Sequence, residues 1–100
     1  MFVHSVYFSL KNPSVEECRK LVSECDRWLK DHEGCVFYDA GVRAEAYMRP
    51  SNDKDFHVAL LLVFEMAAHH DMYQVAERHK AFIAANNANW AQIRVFDSER

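Results

Sequence analysis

The chain has 100 residues, the length of one domain, and we expect a single domain over residues 1–100. Hydrophobic residues make up 50% of it, which excludes intrinsic disorder, and its net charge of −3 without a basic run gives no electrostatic surface for nucleic acid or a membrane. Because the sequence has an odd number of cysteines and shows neither a signal-peptide pattern nor an apolar run of about 18 residues, we expect a soluble, cytoplasmic protein without a disulfide framework.

The first predicted elements are a strand over residues 2–10 and a helix that begins at Ser14. The strand alternates, so that one face carries Phe2, His4, Val6, Phe8 and Leu10. Glu17 lies three positions after Ser14, as in a capping box. An apolar stripe at helical spacing follows on this helix: Val15, Cys18, Leu21, Val22, Cys25, Trp28 and Leu29. His32 and Gly34 fit the C-terminal end of the helix.

Two further strands are predicted, over residues 35–43 and 55–65, and the short polar connection between them favours antiparallel pairing. On the first of these strands one face carries Val36, Tyr38, Ala40 and Val42. The second, DFHVALLLVFE, is the longest apolar run of the chain. Phe56, Val58, Leu60, Leu62 and Phe64 form one of its faces, and His57, Ala59, Leu61 and Val63 form the other. Since both faces are apolar, we expect this strand to be covered on both sides.

The segment 66–88 is helical in composition, and its sequence leaves open whether it forms one helix or two. Its apolar positions are Met72, Val75, Ala76, Ala81, Phe82 and Ile83, and three asparagines between residues 86 and 89 end it. A last strand is predicted over residues 90–97. Ile93 and Val95 lie on one of its faces, and Gln92, Arg94 and Phe96 lie on the other.

The resulting order predicts an α+β protein with the ferredoxin-like β-α-β-β-α-β fold, in which a four-stranded antiparallel sheet carries its helices on one face. The predicted helix-covered face holds His4, Val6, Phe8, Val36, Tyr38, Leu60, Leu62, Ile93 and Val95. The open face holds Val3, Tyr7, Phe37, His57, Ala59, Leu61, Val63 and Phe96. Because so apolar a face rarely stays in contact with water, we predict a homodimer in which two open faces close a barrel. We expect its interface to include Val3, Tyr7, His57, Leu61, Val63 and Phe96.

Four segments of the chain carry a resemblance to a known family: FVHSVYFSLK, DFHVALLLVFE, YQVAERHKAF and IRVFD. They resemble the stress-responsive dimeric α+β barrel (Dabb) family over nearly the whole chain. The resemblance implies the fold described above and a homodimer. It defines no single biochemical role. As the function of such a barrel we expect the binding of a small apolar or aromatic ligand between the helices and the sheet. The expected binding residues are His4, Val6, Phe8, Leu60, Phe82 and Trp90.

One branch of this family, the plant olivetolic acid cyclase, uses a tyrosine and a histidine six positions later, and these match Tyr73 and His79. A first-strand histidine of that enzyme is matched by His4. The resemblance implies that His79 acts as general base and that Tyr73 donates a hydrogen bond to a carbonyl. In an unbroken helix the two side chains would point about 120° apart, so a break near Arg78 is needed for them to converge. The family's His-Pro-x-His run reads Ala76-Glu77-Arg78-His79 here.

The sequence is therefore compatible with three functions: a ligand-binding or non-enzymatic dimeric protein, a cofactor-independent polyketide cyclase or related proton-transfer enzyme, and a haem-degrading or quinone-forming monooxygenase. The third ranks last because the first strand lacks the asparagine usual in that neighbouring family. For Tyr73 and His79 the structural alternative is a half-buried tyrosine and a helix-capping or core histidine. His69 and His70 point in different directions on a helix, so we expect no metal site, and we expect no cofactor.

Overall fold

The computed structural model describes residues 1–100 and has the predicted ferredoxin-like fold. Four strands form one antiparallel sheet in the order β2-β3-β1-β4. Its elements are β1 (Phe2–Leu10), α1 (Val15–Trp28), β2 (Cys35–Val42), β3 (Val58–Phe64), α2 (Ala67–Val75), α3 (Glu77–Asn86), a 3₁₀ turn (Asn87–Asn89) and β4 (Trp90–Glu99). None of these helices combines the length and the apolar character needed to cross a membrane.

The core lies between the helices and one face of the two central strands, as the alternation of β1 and β3 predicted. In their antiparallel register Val6 pairs with Leu60 and Phe8 with Val58. These four side chains are buried, together with His4, Leu10, Leu62 and Phe64 on the same face. Each fully buried aliphatic or aromatic side chain contributes about 1.5–3 kcal/mol, so this face supplies much of the stability of the fold.

The start of the third strand differs from the prediction, and this moves Phe56 to the other side of the sheet. β3 begins at Val58, so Phe56 lies outside the ladder and outside its alternation. Its ring packs edge-on against Tyr7 of the open face, with centroids 5.0 Å apart. His57 was expected on the open face, but its Nδ1 accepts a hydrogen bond from the Leu10 backbone N–H at 2.9 Å. His57 therefore has a structural partner within its own chain.

Helix α1 begins as its capping residue predicted and buries most of its apolar stripe. The Ser14 hydroxyl accepts a hydrogen bond from the Glu17 backbone N–H at 3.1 Å. Four residues of the stripe are buried: Cys18, Leu21, Cys25 and Leu29. Val15 is 73% exposed, so its assignment to the buried stripe was wrong.

The edge strand β2 covers the core less completely than its sequence predicted. Tyr38 and Ala40 pack against the core, whereas Val36 and Val42 of the same predicted face are exposed. Two causes are visible. β2 pairs only with β3, and its register shifts between Cys35 and Phe37, which turns Val36 away from the helices.

The segment 66–88 forms two helices, which answers the question that the sequence left open. Ala76 separates α2 from α3 with φ −67° and ψ 144°, an extended conformation. Each helix buries one aromatic residue, Tyr73 in α2 and Phe82 in α3. Met72 and Val75 are exposed, so their assignment to the apolar side was wrong: α2 buries Tyr73 alone.

Candidate functional site

A cavity of about 180 Å³ lies between the helices and the covered face of the sheet. The structure brings all eight residues of the sequence-predicted site to its wall: His4, Val6, Phe8, Leu60, Tyr73, His79, Phe82 and Trp90. Gln74, Ile83, Ile93 and Val95 also line it. An apolar cavity with a few polar side chains is the usual form of a small-molecule site.

The break at Ala76 is what brings Tyr73 and His79 into contact. The α2 helix ends at Val75 and α3 begins at Glu77, so the two side chains belong to different helices. Their rings meet edge to face with centroids 4.6 Å apart. The convergence required by the sequence argument therefore exists, although the chain has neither the proline nor the first histidine of the family's run.

Tyr73 is the centre of a histidine cluster. Its side chain is buried, and burial, the largest cause, raises the pKa of its hydroxyl. A neutral hydroxyl can donate a hydrogen bond to a carbonyl oxygen. Four histidine rings surround it, at centroid distances of 4.6 Å for His79, 4.9 Å for His32, 5.9 Å for His4 and 6.5 Å for His70.

His79 is held in its neutral form. Burial is the main cause that lowers its pKa, and the neighbouring His4, His32 and His70 lower it further when they are charged. A neutral imidazole can accept a proton at neutral pH. Its Nδ1 is buried without a hydrogen-bond partner, as is Nε1 of Trp90 in the same cavity wall. Unpaired buried groups cost about 1–3 kcal/mol each, so a polar ligand that pairs with them would bind favourably.

His4 has a carboxylate partner that the sequence analysis did not assign. Its Nδ1 lies 2.6 Å from Oδ1 of Asp97. Burial lowers the pKa of His4, and the hydrogen bond and charge of Asp97 oppose this effect. The antiparallel register places His4 directly opposite Asp97. The sequence pattern indicated this position of Asp97, because Asp97 follows Ile93 and Val95 at every second residue and therefore lies on the same face of the strand.

A second, larger cavity of about 530 Å³ lies on the opposite, open face of the sheet. It lies between the sheet and the loop that precedes β3, and Tyr7, Phe56 and Phe96 form its aromatic part. Its arginines already have partners: Arg94 lies 3.1 Å from Asp53 and Arg43 lies 3.0 Å from Glu45. We therefore place the candidate chemistry in the smaller cavity, where His4 and Tyr73 are buried and His79 has a buried Nδ1 without a hydrogen-bond partner.

No protein-family model and no curated protein matches the chain. Among solved structures, a Dabb family protein with a ferredoxin-like fold from Mesorhizobium loti is 19% identical and superimposes with a TM-score of 0.80, over 99% of this chain and 95% of that one. An Arabidopsis thaliana protein is 15% identical with a TM-score of 0.81, over 100% and 95% of the two chains. A dimeric ferredoxin-like protein of unknown function from Thermobifida fusca is 11% identical with a TM-score of 0.80, over 99% and 90%.

These similarities cover almost the whole chain, but the sequence identities are low, so what the proteins share is the fold. The chain has the fold of the Mesorhizobium Dabb protein and of the dimeric ferredoxin-like proteins, which confirms the fold that the resemblance implied. The match of Tyr73, His79 and His4 to a plant cyclase is not addressed by these similarities and stays a prediction.

Proposed function

We propose that this protein is a homodimeric, stress-responsive-type α+β barrel that binds a small aromatic or apolar molecule between its helices and its sheet. The single observation that carries the proposal is the cavity of about 180 Å³ shared by His4, Tyr73 and His79. Support for the dimer comes from its apolar open face and from structural neighbours described as dimeric.

The size and the lining of the cavity define the class of ligand. An engineered cavity of roughly 150 Å³ holds one benzene ring, so this cavity of about 180 Å³ suits a single ring with a short substituent. Phe8, Phe82 and Trp90 provide aromatic walls. The ring centroid of Trp90 lies 5.1 Å from that of Phe8 and 5.6 Å from that of Phe82. The phenol of Tyr73 and the imidazole of His79 then favour a carbonyl or hydroxyl on that ring.

Titration with acetophenone, followed by the indole N–H resonance of Trp90, tests the binding. We expect a saturable shift for the natural chain. Val95→Phe adds a ring at a half-exposed position of the cavity wall and should weaken binding at least about tenfold, which is about 1.4 kcal/mol. Val15→Phe makes the same change on the exposed side of α1 and should bind as the natural chain does. Equal affinity in both variants, or no shift at millimolar ligand, would contradict the proposal.

A second candidate function, a cofactor-independent polyketide-cyclase-like enzyme, is favoured by one observation. Tyr73 and His79 meet at 4.6 Å with pKa values shifted in opposite directions, so one is held as a neutral donor and the other as a neutral acceptor. His79 would remove a proton from the carbon next to a ketone. Tyr73 would donate a hydrogen bond to the carbonyl oxygen as it becomes an enolate. The enolate carbon would attack a second carbonyl, and protonated His79 would return its proton to the new alkoxide.

The proton-transfer step can be measured without knowing the natural substrate, as exchange of the acetophenone methyl protons with D₂O. We expect His79→Gln to slow enzyme-dependent exchange by about 10²–10⁴-fold, the usual contribution of a general base. Tyr73→Phe should also slow it, because the carbonyl loses its donor. His57→Gln is the matched control, since His57 bonds Leu10 outside the cavity. Undiminished exchange in a folded His79→Gln variant would exclude this function.

A solved structure described as an antibiotic biosynthesis monooxygenase is also similar, at 16% identity and a TM-score of 0.75 over 100% of this chain and 98% of that one. At that identity the similarity shows the fold alone. The first strand has His4, Ser5 and Ser9 and lacks the asparagine expected of such an enzyme. The monooxygenase function therefore stays the least favoured of the three.

A further inference from the structure

Three metal-ligating side chains from three different elements meet beside the cavity. His4 comes from β1, His70 from α2 and Asp97 from β4. One ligand atom of each lies within 4.8 Å of the others. Residues separated by 27 and 66 positions in the chain are brought together only by the fold, so the group is not a local run of polar residues on one helix.

Of the two histidines of this group, His4 is buried and His70 is partly buried, and both are held by their neighbours. The side chains of His4 and His70 are 6% and 11% exposed, whereas that of Asp97 is 40% exposed. The His70 ring stacks on Phe2 with centroids 4.3 Å apart, and its Nε2 lies 3.2 Å from the Gln74 amide. Two oriented rings therefore lie beside a carboxylate that is exposed to solvent.

We propose that His4, His70 and Asp97 form a binding site for a divalent transition-metal ion, Zn²⁺ in particular. Imidazole and carboxylate together suit Zn²⁺, and three protein ligands leave its fourth position open. Zn²⁺ holds tetrahedral ligand atoms about 3.4 Å apart, so a spacing within 4.8 Å needs movements of only about 1 Å. The ion would take the place of the proton now shared by His4 and Asp97. The open position would lie next to the cavity that His4 lines.

Metal binding does not depend on the ligand or the reaction suggested for the cavity, and it is tested separately. The untagged protein, freed of metal with a chelator, is titrated with Co²⁺, and its visible absorption is recorded. Calorimetric titration with Zn²⁺ then gives the affinity and the stoichiometry. We expect one ion per chain, with the absorption of a four-coordinate Co²⁺ site.

Four variants decide whether the ion binds where the geometry places it. His70→Gln and Asp97→Asn each remove one ligand, and each should weaken Zn²⁺ binding at least about 100-fold, since loss of even a supporting group costs 10–100-fold. Glu16→Gln changes an exposed carboxylate in the first turn of α1, and His57→Gln removes a histidine outside the cluster. Both controls should bind Zn²⁺ as the natural chain does.

Circular dichroism confirms that each variant is folded before its affinity is compared. The proposal is overturned if the natural chain binds no Zn²⁺ at micromolar concentration. It is also overturned if folded His70→Gln and Asp97→Asn keep the natural affinity, or if His57→Gln loses as much affinity as they do. Any of these results leaves the binding of acetophenone in the cavity to be judged by its own titration.

Discussion

At the level of single residues, burial rather than charge pairing controls the protonation of the candidate site. Burial is the largest cause of the pKa shift at His4, Tyr73 and His79. It disfavours the charged form of each group, so it keeps both imidazoles unprotonated and the phenol protonated. The Tyr73–His79 pair therefore contains a donor and an acceptor without a net charge, which matches a neutral carbonyl compound better than an ionic substrate.

The same shifts predict that acid destabilises the protein. His4 and His79 have a lower pKa in the folded chain than the value of about 6.5 of an unfolded histidine. Below about pH 6.5 the histidines of the unfolded chain therefore bind protons that the folded chain does not. The free energy of unfolding is at its full value above that pH, and it decreases as the pH falls through the lower pKa of the folded chain. We expect the melting temperature to fall between about pH 7 and pH 5. His79→Gln should flatten this dependence, and an unchanged pH profile in that variant would contradict the assignment.

The residues of the site could be predicted from the sequence only where a local pattern identified them. Tyr73 and His79 came from the resemblance, and His4 from strand alternation and a matched position. Asp97 and His70 were missed, because their closeness to His4 depends on the β1–β4 register and on the docking of α2. Neither of these is determined by the residues next to them in the chain.

At the level of elements, the break between α2 and α3 shows that a proline is not required to end a helix. Ala76 adopts the extended conformation, and its N–H still bonds the Tyr73 carbonyl at 3.2 Å. No side chain caps either helix at this point. Burial of Tyr73 and Phe82, on opposite sides of the break, therefore holds the geometry in place of local sequence signals.

This explanation predicts opposite effects of proline at two nearby positions. Glu77 is the first residue of α3 and follows an extended residue, so Glu77→Pro fits the backbone and should stabilise by about 0.4–1 kcal/mol. Lys80→Pro is the control, because the Lys80 N–H bonds the Ala76 carbonyl at 3.1 Å. It should destabilise by about 3 kcal/mol. Urea unfolding of both variants measures the difference, and strong destabilisation by Glu77→Pro would disprove the explanation.

The type and order of the elements could be predicted because alternation and helical spacing are strong over most of the chain. Boundaries were less predictable where tertiary contacts decide. Phe56 fits the alternation of the next strand, yet the pairing with β1 begins only at Val58. Val36 fits its strand equally well, but a register shift turns it outward. In both cases the ladder of hydrogen bonds, which the pattern of side chains does not specify, decides the face.

At the level of the whole molecule, the two faces of the sheet differ in how much of them the helices cover. The helices cover one face and line one side of the candidate site, while the other face leaves large apolar side chains exposed, among them Phe37 and Phe96, each 53% exposed. Leu61 lies at the middle of this open face, in the central strand β3 and opposite Ser5 of β1. A second copy of the chain would cover it by the same surface on both partners.

The dimer is tested by light scattering with size-exclusion chromatography, which should give twice the 11.7 kDa of one chain at micromolar concentration. Leu61→Asp places a carboxylate at the middle of the open face and should raise the dissociation constant at least about 30-fold, or about 2 kcal/mol. Val15→Asp makes a similar change on the exposed side of α1 and should leave the dimer intact. A monomeric natural chain would refute the dimer. A dimer that survives Leu61→Asp unchanged would place the interface on another surface, because a buried unpaired carboxylate at the centre of the open face cannot be neutral in energy.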